Sequence, residues 1–376
     1  MTLAGILVLA WTSSNFSLEA GPVSGRVVGW NYRTNSNDLP PNLTNVIAIS
    51  AAAAGNYYSQ NLALRNDGTV IAWGKNVSGQ TKTNVPVGLT DVVAVAAGGA
   101  HYMALKRDAT VVVWIDATTL AVPANVTNVA AIAAGGGGYS LALTKSGAVI
   151  SWTHGNQNYA VPPGLGSNVT AIAAGGSWFL ALKSNSTVVA WGANNLGQTN
   201  MPAGLSNLTA VAADWIHSVG LKSDGTVVSW GGNLGDGQTN VPVGLSNVVA
   251  VAAGGAKGAH SLVLKSDGTV VSWGAGQTSA APAYVSNVVA IAAGDYYNLA
   301  IVADPQISTI HFTNQQPVIR FRSWVGQHYS LEYSDDLLSS NWTSVIQSNF
   351  QGTGGNMVVT DTNTANGRRF YRLRQW

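Results

Sequence analysis

Apolar and polar positions in this chain alternate in runs of about five to eight residues, broken by Gly, Asn, Asp and Ser, the period of half-buried strands. One run recurs with a terminal Trp: GRVVGW at Trp30, GTVIAW at Trp73, ATVVVW at Trp114, GAVISW at Trp152, STVVAW at Trp191, and GTVVSW at Trp230 and Trp273. The gaps are 43, 41, 38, 39, 39 and 43 residues. A second strand pattern interleaves with it, beginning at Val46, Val92, Val129, Val169, Leu208, Val248 and Val288 and ending in Ala-Ala-Gly or a close variant. Each unit therefore reads strand, Gly-rich corner, strand (HSLVLK), tight turn (SDG), Trp strand, then a long loop such as WGGNLGDGQTNVPVGL. A period near 40 residues with several strands per unit predicts a β-propeller, in which each sheet packs face to face on the next.

The turns and the ends complete this reading. Asp67, Asp224 and Asp267 precede Gly between β-branched runs and read as type I′ hairpin turns, so they are turn formers, not catalytic acids. Paired alanines before each corner suit the narrow inner edge of a radial blade. The strand Gly25–Trp30 has no LALK-type partner before it, and Asn298–Asp304 has no Trp strand after it; pairing the two closes the ring. The expected architecture is all-β: a seven-bladed β-propeller over residues 25–304 closed by the N-terminal strand, followed by a small C-terminal β-sandwich-like domain over residues 305–376. Residues 1–24 read as a leader.

The loop-and-strand pattern W-G-x-N-x-x-G-Q-T-x-V-P…A-A-G-x-x-H-S-L-A-L-K-x-D-G-x-V-x-x-W-G resembles the regulator-of-chromosome-condensation repeat. It is carried by Gly197–Pro202 and Gly237–Pro242, and in part by Gly79–Thr81 and Gly276–Thr278. In this form it is similar to bacterial seven-bladed propellers of the β-lactamase inhibitory protein II type. The resemblance covers about three quarters of the chain and implies the fold. It also implies a partner face lined by corner aromatics. Ala100, Ser177 and Ala259 stand where such aromatics are expected, so inhibition of a β-lactamase is not carried over.

Composition narrows the chemistry. Only 9% of residues are charged, the net charge is +2, and no Lys/Arg run occurs, which argues against nucleic-acid or membrane steering. There is no Cys, hence no disulfide framework and no thiolate site. Met1–Trp11 is an apolar run of signal-peptide length, too short to span a bilayer, and points to a secreted or cell-surface protein. Beyond Asp304 the repeat stops; alternation predicts strands at 318–322, 329–333, 357–360 and 370–373. There G-x-x-Y-x-L-E-x-S-x-D-L, Gly326–Leu337, resembles C-terminal β domains of large secreted bacterial proteins, and Arg320, Arg322, Arg368, Arg369, Arg372 and Arg374 read as a solvated strand face.

No nucleophile elbow, zinc-protease motif, P-loop or dinucleotide fingerprint is present, and no cofactor or metal is called for. His101, His217 and His260 occupy one repeat position, held elsewhere by Gln60, Tyr139, Trp178 and Tyr297, which favours a structural role. The formal N-glycosylation acceptors Asn42, Asn76, Asn125, Asn168, Asn185, Asn207 and Asn341 read as turn residues. The aromatics that follow the corners, Tyr57, Tyr58, Tyr102, Tyr139, Trp178, Phe179, Trp215, Tyr296 and Tyr297, are expected to ring the channel on one face and bind a ligand. The expected activity is non-catalytic recognition of a protein or a carbohydrate. The alternatives are a polymer-acting hydrolase or lyase at the channel mouth using Asp214, His217 or Asp295, and a structural spacer.

Overall fold

The computed structural model describes residues 24–31, 39–41, 43–53, 59–74, 84–154, 159–232, 235–255, 258–275, 281–282, 285–295, 297–303, 307–313, 316–322, 328–334, 343–345, 350–351, 356–360, 362 and 370–375. Residues 1–23 of the expected leader, Tyr57, Tyr58, Tyr296 and the lengthened corners near Asn56 and Lys257 lie outside them. The chain divides into two compact units, Met1–Ala303 and Asp304–Trp376. Every described element is a β-strand or turn; no described helix is long and apolar enough to cross a membrane.

In the first unit three strand types repeat. Inner strands are Val46–Ala53, Val92–Ala97, Val129–Ala134, Val169–Ala174, Leu208–Ala213, Val248–Gly254 and Val288–Ala293. Middle strands are Ser59–Arg65, Tyr102–Lys106, Tyr139–Thr144, Trp178–Lys183, His217–Lys222, His260–Lys265 and Tyr297–Ala303. Outer strands carry the Trp: Val70–Gly74, Val111–Ile115, Val149–Thr153, Val188–Gly192, Val227–Gly231 and Val270–Gly274. Each set pairs antiparallel as inner–middle–outer, giving open sheets; none closes on itself. The N-terminal strand Gly25–Asn31 pairs antiparallel with Tyr297–Ala303 from Gly25↔Ala303 to Asn31↔Tyr297, supplying that middle strand with the outer neighbour its own chain lacks. A single further pair, Gly25↔Val46, joins it to the first inner strand.

The core explains the Trp spacing. Each strand Trp sits in its own cluster between two successive blades, as Trp273 does with Val219 and Leu221 of one blade and Val251 and Val263 of the next. Trp73 packs likewise with Leu299 and Ile301, across the join between the last blade and the first. Burying an indole removes about 150–250 Å² from water, so one Trp per interface is a large part of what holds neighbouring blades together.

The hairpin turns differ from expectation. Only Gly68, Gly225 and Gly268 have positive φ in the Asp-Gly pairs, whereas a type I′ turn needs it at both central residues. The pattern is a three-residue loop: the Gly68 amide donates to the Arg65 carbonyl and the Arg65 amide to the Thr69 carbonyl, both within about 3 Å. Asp67 Oδ1 then accepts from the Thr69 amide at 2.9 Å and its hydroxyl at 2.7 Å, which holds its carboxyl below the usual range. Asp224 and Asp267 repeat the arrangement, and Asn185 does so with Thr187. Asn207 adopts positive φ just ahead of its inner strand, as Asn45, Asn128, Asn247 and Asn287 do.

In the second unit, Ile307–Thr313, Gln316–Arg322 and Asn356–Thr360 form one antiparallel sheet. His328–Ser334 pairs with Thr343–Ser344, Phe350–Gln351 and Phe370–Gln375 in another. Among its described residues, Ile319, Phe321, Leu331 and Val359 are the most buried apolar side chains.

Candidate functional site

The inner strands converge on a channel whose wall is nearly all alanine. A cavity of about 70 Å³ is lined by Ala51, Ala97, Ala134, Ala174, Ala213 and Ala253 with their neighbours. At the corner end a mouth of about 50 Å³ is lined by Gly98, Gly99, Gly135, Gly136, Gly175, Asp214 and Trp215 among others. Small residues are required here because the blades touch through backbone. The Gly99 amide donates to the Gly135 carbonyl, Gly136 to Gly175, Gly137 to Gly176, and Gly176 to the Asp214 carbonyl, at 2.9–3.2 Å. A Cβ on Gly98 or on Gly135 would stand 2.7 Å from the next blade's carbonyl oxygen.

At or just before the start of several middle strands, one residue reaches the following blade. His101 Nε2 lies 2.9 Å from Ser140 Oγ, His217 Nε2 2.9 Å from Ser261 Oγ, and His260 Nε2 2.9 Å from Asn298 Oδ1. Tyr297 donates its hydroxyl to Asn61 Oδ1 at 2.6 Å, joining the last blade to the first. Tyr139 meets Phe179 edge-on instead, with ring centroids 5.7 Å apart. The three histidines thus share one job, a staple between blades. Burial pushes His101 down to about 3 and lowers His260 as well, so both are neutral at pH 7.

The Gln of the G-Q-T loop completes the joint, a role that spacing alone did not reveal. Gln238 is fully buried; its backbone carbonyl accepts from Ser261 Oγ and Trp273 Nε1, both at 2.9 Å, while its side-chain Nε2 donates to the Gly232 carbonyl at 2.7 Å. The available signal was that Gln, Ser and Trp recur at fixed offsets in successive units.

The aromatic ring expected at the channel is corrected at several positions. Tyr102, Tyr139, Trp178 and Phe179 are buried between blades, because the alternation of the middle strand aims them into the interblade cores and away from the mouth. Tyr297 is half-buried with its hydroxyl engaged by Asn61. Of the six that are described, Trp215 alone stays at the mouth, partly exposed, its indole lying across Gly136 and Gly176 of the two preceding blades.

The candidate acids resolve similarly. Asp214 Oδ1 accepts the amides of Ile216 and His217, each at 2.8 Å, fixing the corner. Its Oδ2 stands 3.1 Å from His217 Nδ1, at ion-pair distance but out of hydrogen-bond line. The sequence Asp214–His217–Ser261 resembles a nucleophilic relay. Ser261, however, is fully buried and gives its only hydrogen to the Gln238 carbonyl. Ser218, its neighbour in sequence to the His, is not the residue that His217 touches. Asp295 is buried at the equivalent corner of the last blade.

Residues 169–198, an inner strand through the G-Q of its loop, match the regulator of chromosome condensation (RCC1) repeat. The repeat is of the RCC1 type. Prp20p from Saccharomyces cerevisiae, described with its binding to Gsp1p and histones, is 18% identical, with TM-score 0.60 over 76% of this chain and 93% of that one. Yeast RCC1 (Prp20) with bound Kap60 gives 16% and 0.59, covering 79% and 96%. The ectodomain of the Physcomitrella patens receptor kinase CR4 gives 23% and 0.51, covering 66% and 68%. These likenesses establish the RCC1-like propeller fold. No curated protein matches the sequence.

Proposed function

We propose that this chain is a non-catalytic binding module, a seven-bladed propeller that recognises a protein partner through its corner face. The observation that carries the reading is Trp215: a partly exposed indole on a rigid glycine rim, whereas His101, His217, His260 and Tyr297 at the start of neighbouring middle strands are engaged with the following blade. Rigid aromatic anchors give contact area at small entropic cost and dominate binding hot spots. One interblade core for each strand Trp supports the blade number. Prp20p, of the same fold, is described as binding proteins, which is in keeping with this use. The apolar run Met1–Trp11 supports secretion or surface display, and the second compact unit would serve attachment.

The test is a protein and glycan array probed with wild type, Trp215→Ala, and a control, Val243→Asp, which alters a fully exposed side chain in the turn at the far end of its inner strand. Loss of about tenfold or more in affinity is expected for Trp215→Ala only. Protein hits that survive the Trp215 change sink the reading, and hits confined to glycans would redirect it to carbohydrate.

A further inference from the structure

We propose that the end of the ring opposite the corners is a docking face for a lipid bilayer carrying anionic headgroups. The inference concerns other residues than the binding reading above and does not depend on it. Ahead of the inner strands the chain makes turns closed by amide-to-carbonyl bonds, Leu89 to Pro86, Leu205 to Pro202 and Leu245 to Pro242 among them. Gly88, Gly204 and Gly244 supply the positive φ, 74–79°, that such turns need at their third residue, which leaves the second residue at the tip. That tip is Val87, Ala124, Pro163, Ala203 or Val243, apolar and exposed in each case. Val87 and Val243 are wholly open to solvent, at 103% and 106%. Proline there suits the turn itself, but a valine with no packing partner contributes nothing to folding, and turn positions ordinarily favour Gly, Asn, Asp or Ser.

The cations stand at the same end. Arg65, Lys106, Lys183, Lys222 and Lys265 close their middle strands, each in register with the first residue of an inner strand, and Lys145 is exposed in the hairpin turn of its blade. That first residue also donates its amide to the preceding blade's hairpin turn, Val129 to Ala109, Val169 to Gly147 and Leu208 to Ser186, so tips and cations interleave on one rim. A single cation per repeat leaves no basic run in the sequence; the fold gathers them. Asp67, Asp108, Asp224 and Asp267 offset part of this charge, with Lys106 and Lys265 at 3.7 and 3.5 Å from their acids. The sector between differs: no Asp or Glu occurs from Ala117 to Ala213, and Ser146 and Asn185 take the place of the turn acid beside Lys145 and Lys183. Lysines without a carboxylate beside exposed aliphatic tips match the two layers of a bilayer interface, charged headgroups above and acyl chains beneath. A soluble polyanion would engage the lysines and leave the valines unused.

The experiment is co-sedimentation of the full chain with vesicles of phosphatidylcholine alone and of phosphatidylcholine with one third phosphatidylglycerol, at about 0.1 M salt. Preferential binding to the anionic vesicles is expected. Lys145→Gln together with Lys183→Gln should weaken it about tenfold or more, since each lysine near an anionic surface contributes a factor of roughly five. Val87→Ser together with Val243→Ser should weaken it at least about threefold with the thermal midpoint unchanged, because both side chains are wholly exposed. No preference for anionic vesicles, or full binding in either paired variant, overturns the proposal; if the lysine pair disturbs the fold, the valine pair decides. Binding that is lost in the lysine pair, kept in the valine pair and displaced by soluble polyphosphate would assign the face to a polyanion and likewise overturns it.

Discussion

A single atom decides what each corner residue can be. At Gly175 an added Cβ would collide with the Asp214 carbonyl of the next blade and with the Trp178 indole, both parts of the rigid interblade packing. Gly164 sits in a loop with nothing within 4 Å of an added Cβ and an ordinary φ. Overpacking a tight site costs about 1–3 kcal/mol, whereas Gly to Ala at a compatible site stabilises by about 0.4–1 kcal/mol through the unfolded chain. Urea unfolding should therefore show Gly175→Ala destabilised and Gly164→Ala neutral or slightly stabilised. Equal midpoints for the two would sink the close-approach account of the corners. The Asp-Gly turns carry the complementary lesson: the dipeptide marked the position of each turn correctly, but the residue count between strands chose a three-residue loop over type I′.

Between strands, the unit of stability is the staple linking one blade's first middle-strand residue to the next blade. His101 titrates at about 3 in the folded chain against about 6.5 when unfolded, chiefly because burial penalises its charge, with His154 adding repulsion from 6.0 Å between ring centroids. A depressed folded value means the native state binds fewer protons. Its stabilisation is complete above about pH 6.5 and is lost as pH falls toward 3, by several kcal/mol in order of magnitude. His260 acts in the same direction. Replacing His101 with Gln, the residue at the matching position 60, should flatten the fall in urea midpoint between about pH 7 and pH 4. A slope identical to wild type would exclude His101 as its source. The strand Trp, the alternation and the turn residues were legible because each is a local pattern. The staples were not, since the partner of His101 lies 39 residues on in sequence and burial alone separates a buried Tyr139 from a partly exposed Trp215.

Over the whole molecule, the ring depends on one joint between distant parts of the chain. Elsewhere the outer strand follows its middle strand through a short turn, but Tyr297–Ala303 takes Gly25–Asn31 from the other end of the propeller. The closing side-chain bond, Tyr297 to Asn61, spans 236 residues, so forming it must offset the loop-closure entropy of nearly the entire ring. Trp73 and Val46 add apolar burial at the same join. Tyr297→Phe keeps the ring in place but withdraws the hydroxyl donor from Asn61, a buried amide, at a cost of about 1–3 kcal/mol. Because the join is shared by two edges held by few covalent neighbours, the loss should be local: amide exchange should quicken in Gly25–Asn31 and Val46–Ala53 while the sheet of Leu208–Gly231 keeps its protection. Hydrogen-exchange mass spectrometry separates these segments. Exchange that quickens equally in all sheets would mean that the ring opens as one cooperative body, and unchanged exchange would mean that strand pairing and Trp73 close it without the Tyr297 bond.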